Sequence, residues 1–289
     1  NVPATLLIAS AVVFLTITFG RLPGDSMLLQ MCQDTLHTAL FAIFSFLTLR
    51  YLRTTVSSSR APGSTYLLVA GLCAAIGITT EFAQWLTGRG FSSVDLARDA
   101  AGVILGTGLY ALIDQTKTGA RLVSGAGLRR ALVGLLCCVL LAATDPLASL
   151  SRHYVGRNND FPVIMDPYAH WATTFVGTNK GSISLSPENC STGLAGLSLQ
   201  PATYPGIALL EPYPDWRGYR YLTFTLESRQ PETFSMTLRI NDTAHNNKHD
   251  DRYNRALTIA PGSNTYRIPL EEVIHGPRKR KLDIGDICG

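Results

Sequence analysis

The sequence predicts two parts in series: an α-helical polytopic membrane domain of about five transmembrane helices over residues 1–146, a link at 147–171, and an all-β sandwich domain over 172–289. Three observations predict this. The first half consists of apolar blocks of bilayer-spanning length joined by short polar stretches. Near Ala143 the composition shifts abruptly to Pro, Asn, Asp and Tyr. From Ala172 onward, short runs alternate apolar and polar residues between Gly, Pro and Asn punctuation, which is the pattern of half-buried strands.

The blocks follow in order. Val2 to Phe19 is uncharged and long enough to span. A cleaved signal peptide also begins apolar, but no basic region precedes this run, and Gly20-Arg21-Leu22-Pro23 reads as a turn rather than a cleavage site. Because the chain begins at Asn1 rather than Met, further residues are expected before it. Asp34 to Leu49, Tyr66 to Leu86, Val94 to Ile113 and Leu128 to Ala143 supply four more spans. The two short ones are extended by snorkelling Tyr51, Arg129 and Arg130.

Orientation follows from basic residues in the short joints. Arg50, Arg53 and Arg60 follow the second block, and Lys117, Arg121, Arg129 and Arg130 follow the fourth. The other two joints hold only Arg21 and Arg89. Joints two and four are therefore expected inside, with joints one and three and the whole β domain outside.

That topology gathers polar residues at the outer face. Asp34 and His37 open the second block, Glu81 and Gln84 close the third, Arg89 lies in the joint, and Asp95, Arg98 and Asp99 open the fourth. Residues three or four apart share a helix side, so each group can present two side chains to a common pocket. Insertion costs roughly 2.5–3.5 kcal/mol for an Asp or Arg at mid-bilayer, against a return of about 0.3–0.6 per Leu or Ile. Charges in this number belong at an interface or in a paired cluster.

These residues resemble the VanZ-like membrane protein family. The resemblance rests on Glu81-x-x-Gln84, then Gly88-Arg89, then Asp95 six residues after the arginine, a polar residue four further on, and Gly102 with Gly106. It covers roughly residues 1–120. Two positions depart: Asp99 stands where the family usually has Asn, and Asp34 precedes His37 by three residues rather than four. The resemblance implies a polytopic bacterial membrane protein, from a family whose namesake is associated with resistance to glycopeptide antibiotics such as teicoplanin. It names no molecular activity.

The expected membrane-domain site is therefore His37, Glu81, Gln84, Arg89, Asp95 and Asp99. Three readings stay open. In a binding site these groups hold a lipid-linked or glycan envelope component. In an enzyme acting on a lipid-linked phosphate, Glu81 or Asp95 serves as base, His37 as acid, and Arg89 holds phosphate. In a scaffold, Glu81, Arg89 and Asp95 form an ion-pair network. No nucleophile motif surrounds Ser92 or Ser93, and Gly102-x-x-x-Gly106 reads as close helix packing.

In the second half, strands are expected at Gly181–Leu185, Ala195–Leu199, Tyr219–Glu227, Thr233–Ile240, Arg255–Ile259 and Asn264–Pro269. Leu222, Phe224 and Leu226 share one face. Trp216-x-x-Tyr219-x-x-Leu222, Leu238-Arg239-Ile240-Asn241-Asp242, His249-Asp250-Asp251-Arg252-Tyr253-Asn254 and Pro261-Gly262-x-Asn264 resemble galactose-binding-like jelly-roll domains, which include carbohydrate-binding modules. The resemblance implies a glycan site at Asp242, His245, Asp250, Asp251, Arg252 and Tyr253, and closing strands beyond Gly289. The structural alternative is an Asp251–Arg252 pair holding the loop, with Trp216 and Tyr219 in the core. Asp250 and Asp251 also offer oxygen ligands of the kind Ca²⁺ takes, without an EF-hand pattern, and no metal site is expected.

Hydrophobic residues make up 46% of the chain and charged ones 16%, with a net charge of +4. With no long Lys/Arg run and no zinc-like Cys/His spacing, the expected partners are the bilayer and an envelope glycan rather than nucleic acid. No cofactor motif is present. Cys73, Cys137 and Cys138 lie in apolar blocks as small hydrophobes; Cys190 and Cys288 either pair or stay free.

Overall fold

The computed structural model describes residues 26–55, 62–86, 92–114, 125–166, 168–179, 181–184, 196–199 and 205–289, with scattered positions at 4–6, 8, 9, 12, 24 and 123. At 62, 83–85, 181–184 and 196–199 it describes the backbone alone. The chain divides into two compact units, Asn1–Ser151 and Arg152–Gly289.

The first unit is helical: α1 (Met27–Thr55), α2 (Pro62–Leu86), α3 (Ser93–Ile113) and the start of α4 (Ala126–Asp160). All four are long and apolar enough to cross a membrane, as in a multi-pass membrane protein. Of the expected span Val2 to Phe19 only residues 4–6, 8, 9 and 12 are described, and these are helical; the rest lies outside the described residues.

Helix α1 begins two turns earlier than the apolar block suggested. The Ser26 hydroxyl accepts the Leu29 N–H at 3.3 Å and its carbonyl accepts that of Gln30 at 3.0 Å, so Ser26 starts the helix as a cap does. Asp34 and His37 therefore sit inside α1 rather than at its mouth. Pro62 opens α2, a position whose missing N–H costs nothing. Ser92 caps α3, its hydroxyl taking the Asp95 N–H at 3.2 Å.

α1 and α3 share the most extensive helix interface. The glycines explain it: a Cβ at Gly102 would run into the Thr38 carbonyl oxygen, and one at Gly106 into the Ala42 carbonyl oxygen and Ser45 Oγ. Around this seam Phe41, Phe44, Leu49, Val69, Cys73 and Tyr110 form the core. Leu67, Leu72 and Ile78 on α2 and Leu140 and Leu141 on α4 face outward, an apolar exterior suited to lipid.

The stretch 147–160, expected as part of a link, is helical: α4 continues through Pro146 to Asp160. Proline normally stops a helix. Here the turns beyond it are held by side-chain docking within the second unit. Arg157 lies over the rings of Tyr154 and Phe175 at 4.7 and 4.8 Å and donates to the Glu211 carbonyl, Tyr154 donates to the Glu211 carboxylate, and Trp171 Nε1 donates to Asp160 at 2.6 Å.

Among the described residues, the second unit contains four two-stranded antiparallel ribbons. β1 (Val176–Asn179) pairs with β4 (Gly206–Leu209), and β2 (Gly181–Ser184) with β3 (Gly196–Leu199). β5 (Tyr221–Ser228) pairs with β8 (Gly262–Pro269), and β6 (Phe234–Ile240) with β7 (Tyr253–Ile259). All six expected strands form, within a residue or two at most ends. β1 and β4 went unread because Val-Gly-Thr-Asn and Gly-Ile-Ala-Leu lack the apolar–polar alternation that Gly-Ser-Ile-Ser and Gly-Leu-Ser-Leu show.

The inward faces of the last two ribbons meet in one core. Leu222, Phe224 and Leu226 of β5, Leu257 and Ile259 of β7, and Ile268 of β8 join Trp216, Ile240, Tyr253 and Val273. Chain crossing between the ribbons is made at Pro261-Gly262, where Gly262 has φ +83°, a conformation open to glycine. Asn264 holds this turn by bonding both the N–H and the carbonyl of Ala260. After the short helix α5 (Leu270–Ile274), the tail runs beside the end of β6. Cys288 N–H donates to the Asn241 carbonyl at 3.0 Å, and Asp242 and Ile287 form an antiparallel bridge.

Candidate functional site

The membrane-unit cluster is built where the early turns of α1, the end of α2 and the first turns of α3 meet. Arg98 is its centre. One guanidinium nitrogen lies 2.8 Å from both Asp34 Oδ2 on α1 and Asp95 Oδ1 on its own helix. The Thr38 hydroxyl donates to the Arg98 carbonyl at 3.1 Å. One turn deeper, His37 Nδ1 stands 3.6 Å from Asp99 Oδ1.

Asp99 is 6% exposed, and its Oδ1 receives no hydrogen bond. It fits because Gly77 faces it across α2: a Cβ there would stand 3.0 Å from Asp99 Oδ2. A buried carboxylate oxygen without a donor is costly, and the nearest cation-forming group to it in the cluster is His37. Glu81, also buried, takes the Ser92 N–H at 2.9 Å. Its carboxylate closes the N-terminus of α3, where negative charge is favoured.

The geometry thus brings together His37, Glu81, Asp95 and Asp99 of the expected site. Gln84 lies on α2 with only its backbone described, and Arg89 lies outside the described residues. Two participants were missing from the expected site: Arg98 and Asp34. The i, i+3 spacing of Asp95 and Arg98 was the available signal. A further ion pair, unforeseen, joins α1 to the end of α3, Arg53 to Asp114 at 3.2 Å, both buried.

In the β unit the loop from Asn241 to Asn254 is organised by Arg280, which was not among the expected residues. Its guanidinium forms a fork with Asp242, at 2.5 and 2.6 Å, while Nε bonds Asp251 Oδ1 at 2.6 Å. Asp242, only 1% exposed, also accepts the Asp283 N–H at 2.9 Å. Asp251 accepts the Asn246 N–H at 2.9 Å. Arg280 and that N–H hold the Asp251 carboxyl down at about 2. For Asp242, burial pushes upward, but Arg280 and the Asp283 N–H outweigh it and the group lies below its usual range. Both carboxylates in turn raise the Arg280 guanidinium.

The alternative Asp251–Arg252 pair does not form: Arg252 Nε bonds Asn254 Oδ1 at 2.9 Å instead. Tyr253 lies in the β core with its hydroxyl near Glu272, and Trp216 is buried there too, whereas Tyr219 is exposed. Asp250 and Asp251 border a small cavity of about 230 Å³ with Asn246, Lys248, Lys279 and Arg280. His245 is buried against Asp251, its Nδ1 3.1 Å from that residue's carbonyl, with Nε2 unbonded. Among the described residues, no three His, Cys, Asp or Glu side chains converge to hold a metal ion. Cys288 is a free thiol bonded by Asn241; Cys190 lies outside the described residues.

Compared with known proteins, the chain matches no family profile, no curated protein and no solved structure.

Proposed function

We propose that the protein is a multi-pass component of the bacterial cytoplasmic membrane that binds a lipid-linked or glycan component of the envelope. The outer-face cluster of His37, Asp34, Arg98, Asp95 and Asp99 forms the site. The observation that carries this reading is the buried Asp99 Oδ1, 3.6 Å from His37 and without a hydrogen-bond donor. Carboxylates outnumber cations in the described cluster, and ionised carboxylates only accept. A polyhydroxylated group, each of whose hydroxyls can donate to a carboxylate oxygen, is the chemistry that matches them.

The β unit, read as a jelly roll, faces the same side and engages glycan through the cavity bordered by Asp250 and Lys248. The nested pairing of β5 with β8 and of β6 with β7 over one core supports that reading. Basic joints at the opposite helix ends support the orientation. The VanZ-like resemblance extends the proposal to a contribution to glycopeptide tolerance. A hydrolase or transferase acting on a lipid-linked phosphate is the second reading; the His37–Asp99 pair favours it, as an acid–base pair.

The test is thermal unfolding of the purified full chain in detergent with a lipid-linked disaccharide. Wild-type protein shifts upward, Asp99→Asn and His37→Ala unfold normally without ligand but do not shift, and a phosphatase fused after Gly289 is active outside the cell. Equal shifts in wild type and Asp99→Asn sink the binding reading. Product release from the disaccharide moves the assignment to the enzyme.

A further inference from the structure

Far from the Asp99 cluster along α3, a second feature is left unused. Leu109, Leu112 and Ile113 lie on one face of the last turns of α3, and Val133 faces them from α4. Together with Arg129 and Arg130 they line an open, largely apolar groove of about 410 Å³. At one end of it the Leu136 side chain of α4 reaches across to α3, since a Cβ on Gly108 would stand 2.7 Å from Leu136 Cδ2. The groove is therefore a wedge, apolar inside and basic at its mouth.

The charge at that mouth is not balanced locally. Arg129 spends one nitrogen on the Leu112 carbonyl at 3.1 Å, and Arg130 makes no ion pair among the described residues. Asp114, next to Ile113 in the chain, is engaged by Arg53. Neither adjoining joint, 56–61 or 115–125, contains an Asp or Glu; they add Arg60, Lys117 and Arg121.

We propose that this groove binds an anionic phospholipid from the surrounding leaflet. The headgroup phosphate sits between Arg129 and Arg130, and one acyl chain lies along Leu109, Ile113 and Val133. Guanidinium groups pair with phosphate oxygens bidentately, and basic pockets between membrane helices are suited to anionic headgroups. The apolar wall distinguishes a lipid from free phosphate: Leu109 and Ile113 are both about half exposed and gain cover only from a chain. The site is independent of the glycan proposal, and either can fail alone.

The full chain in neutral detergent is titrated with phosphatidylglycerol, phosphatidylcholine or inorganic phosphate, following the melting temperature. Phosphatidylglycerol binds the wild type, and the other two do not reproduce it. Arg129→Gln with Arg130→Gln weakens binding about 30-fold, the contribution of two basic residues at a membrane surface. Arg130→Gln alone, at an exposed position, weakens it roughly fivefold and covers the case in which the double variant misfolds. Val133→Trp fills the wedge and weakens phosphatidylglycerol binding, whereas Arg50→Gln, elsewhere at the same end, leaves it intact. Equal binding of phosphatidylcholine, an equal shift with inorganic phosphate, no loss in Val133→Trp, or a loss in Arg50→Gln as large as in Arg130→Gln overturns the proposal.

Discussion

Replacing Arg280 by Ala removes the one group that neutralises both Asp242 and Asp251. Asp242 is left almost fully buried with the Asp283 N–H at 2.9 Å as its remaining donor. Taking away one partner of a buried pair costs about 3–5 kcal/mol. Arg280 is itself a quarter exposed, so the lower figure, about 3 kcal/mol, is the expected loss. For a unit of this size that is a fall in melting temperature of about 10 °C. Two of the three tryptophans, Trp171 and Trp216, lie in the β unit, so tryptophan fluorescence of the full chain reports its unfolding. The pH dependence has a definite sign. Both carboxylates are held below their ordinary range in the folded state, Asp251 at about 2. Their contribution is therefore complete above the unfolded pKa of about 4 and is lost as pH falls toward 2. Arg280→Ala loses this acid-sensitive component, and the two proteins converge in stability at low pH. A melting temperature within 2 °C of wild type at pH 7, or a difference that persists unchanged at pH 2, refutes the reasoning.

Ser92→Ala removes the cap of α3 and costs about 1 kcal/mol, read as earlier loss of helical circular dichroism on titration with denaturing detergent. Gly106→Leu forces a side chain against the Ala42 carbonyl and separates α1 from α3; overpacking of this kind costs about 1–3 kcal/mol, seen in the same titration, while Gly134→Leu, at an open position on α4, leaves the midpoint unchanged. Arg53→Ala removes the guanidinium 3.2 Å from the buried Asp114 carboxylate and destabilises the bundle by about 3 kcal/mol, whereas Arg53→Met with Asp114→Leu recovers most of that loss.

What was legible in the chain was what repeats. Apolar blocks announced α1 to α4, and period-two runs announced the six longer or better-patterned strands. Pairing across distance was not legible: Arg280 lies 38 residues from Asp242, and Arg53 lies 61 from Asp114. Nothing local in a sequence couples such positions. Pro146 misled for the opposite reason, since a strong local stop signal was overridden by the docking of Tyr154 and Arg157. The Asp95–Arg98 spacing could have been read. Asp99 was legible only as a polar residue near the start of α3; that one of its oxygens is buried without a hydrogen bond depends on the packing of α1 and α2 around it.

The α1–α3 seam carries a mechanical consequence. Arg98 ties the pair near one end through Asp34, Arg53 ties it near the other through Asp114, and two glycines lock backbone against backbone between them. A slide by one turn, about 5.4 Å, breaks both ties at once and brings a residue with a side chain onto one of the two glycine seats. The two helices therefore act as one stave, while α2 meets them through smaller faces, with Gly77 set against Asp99.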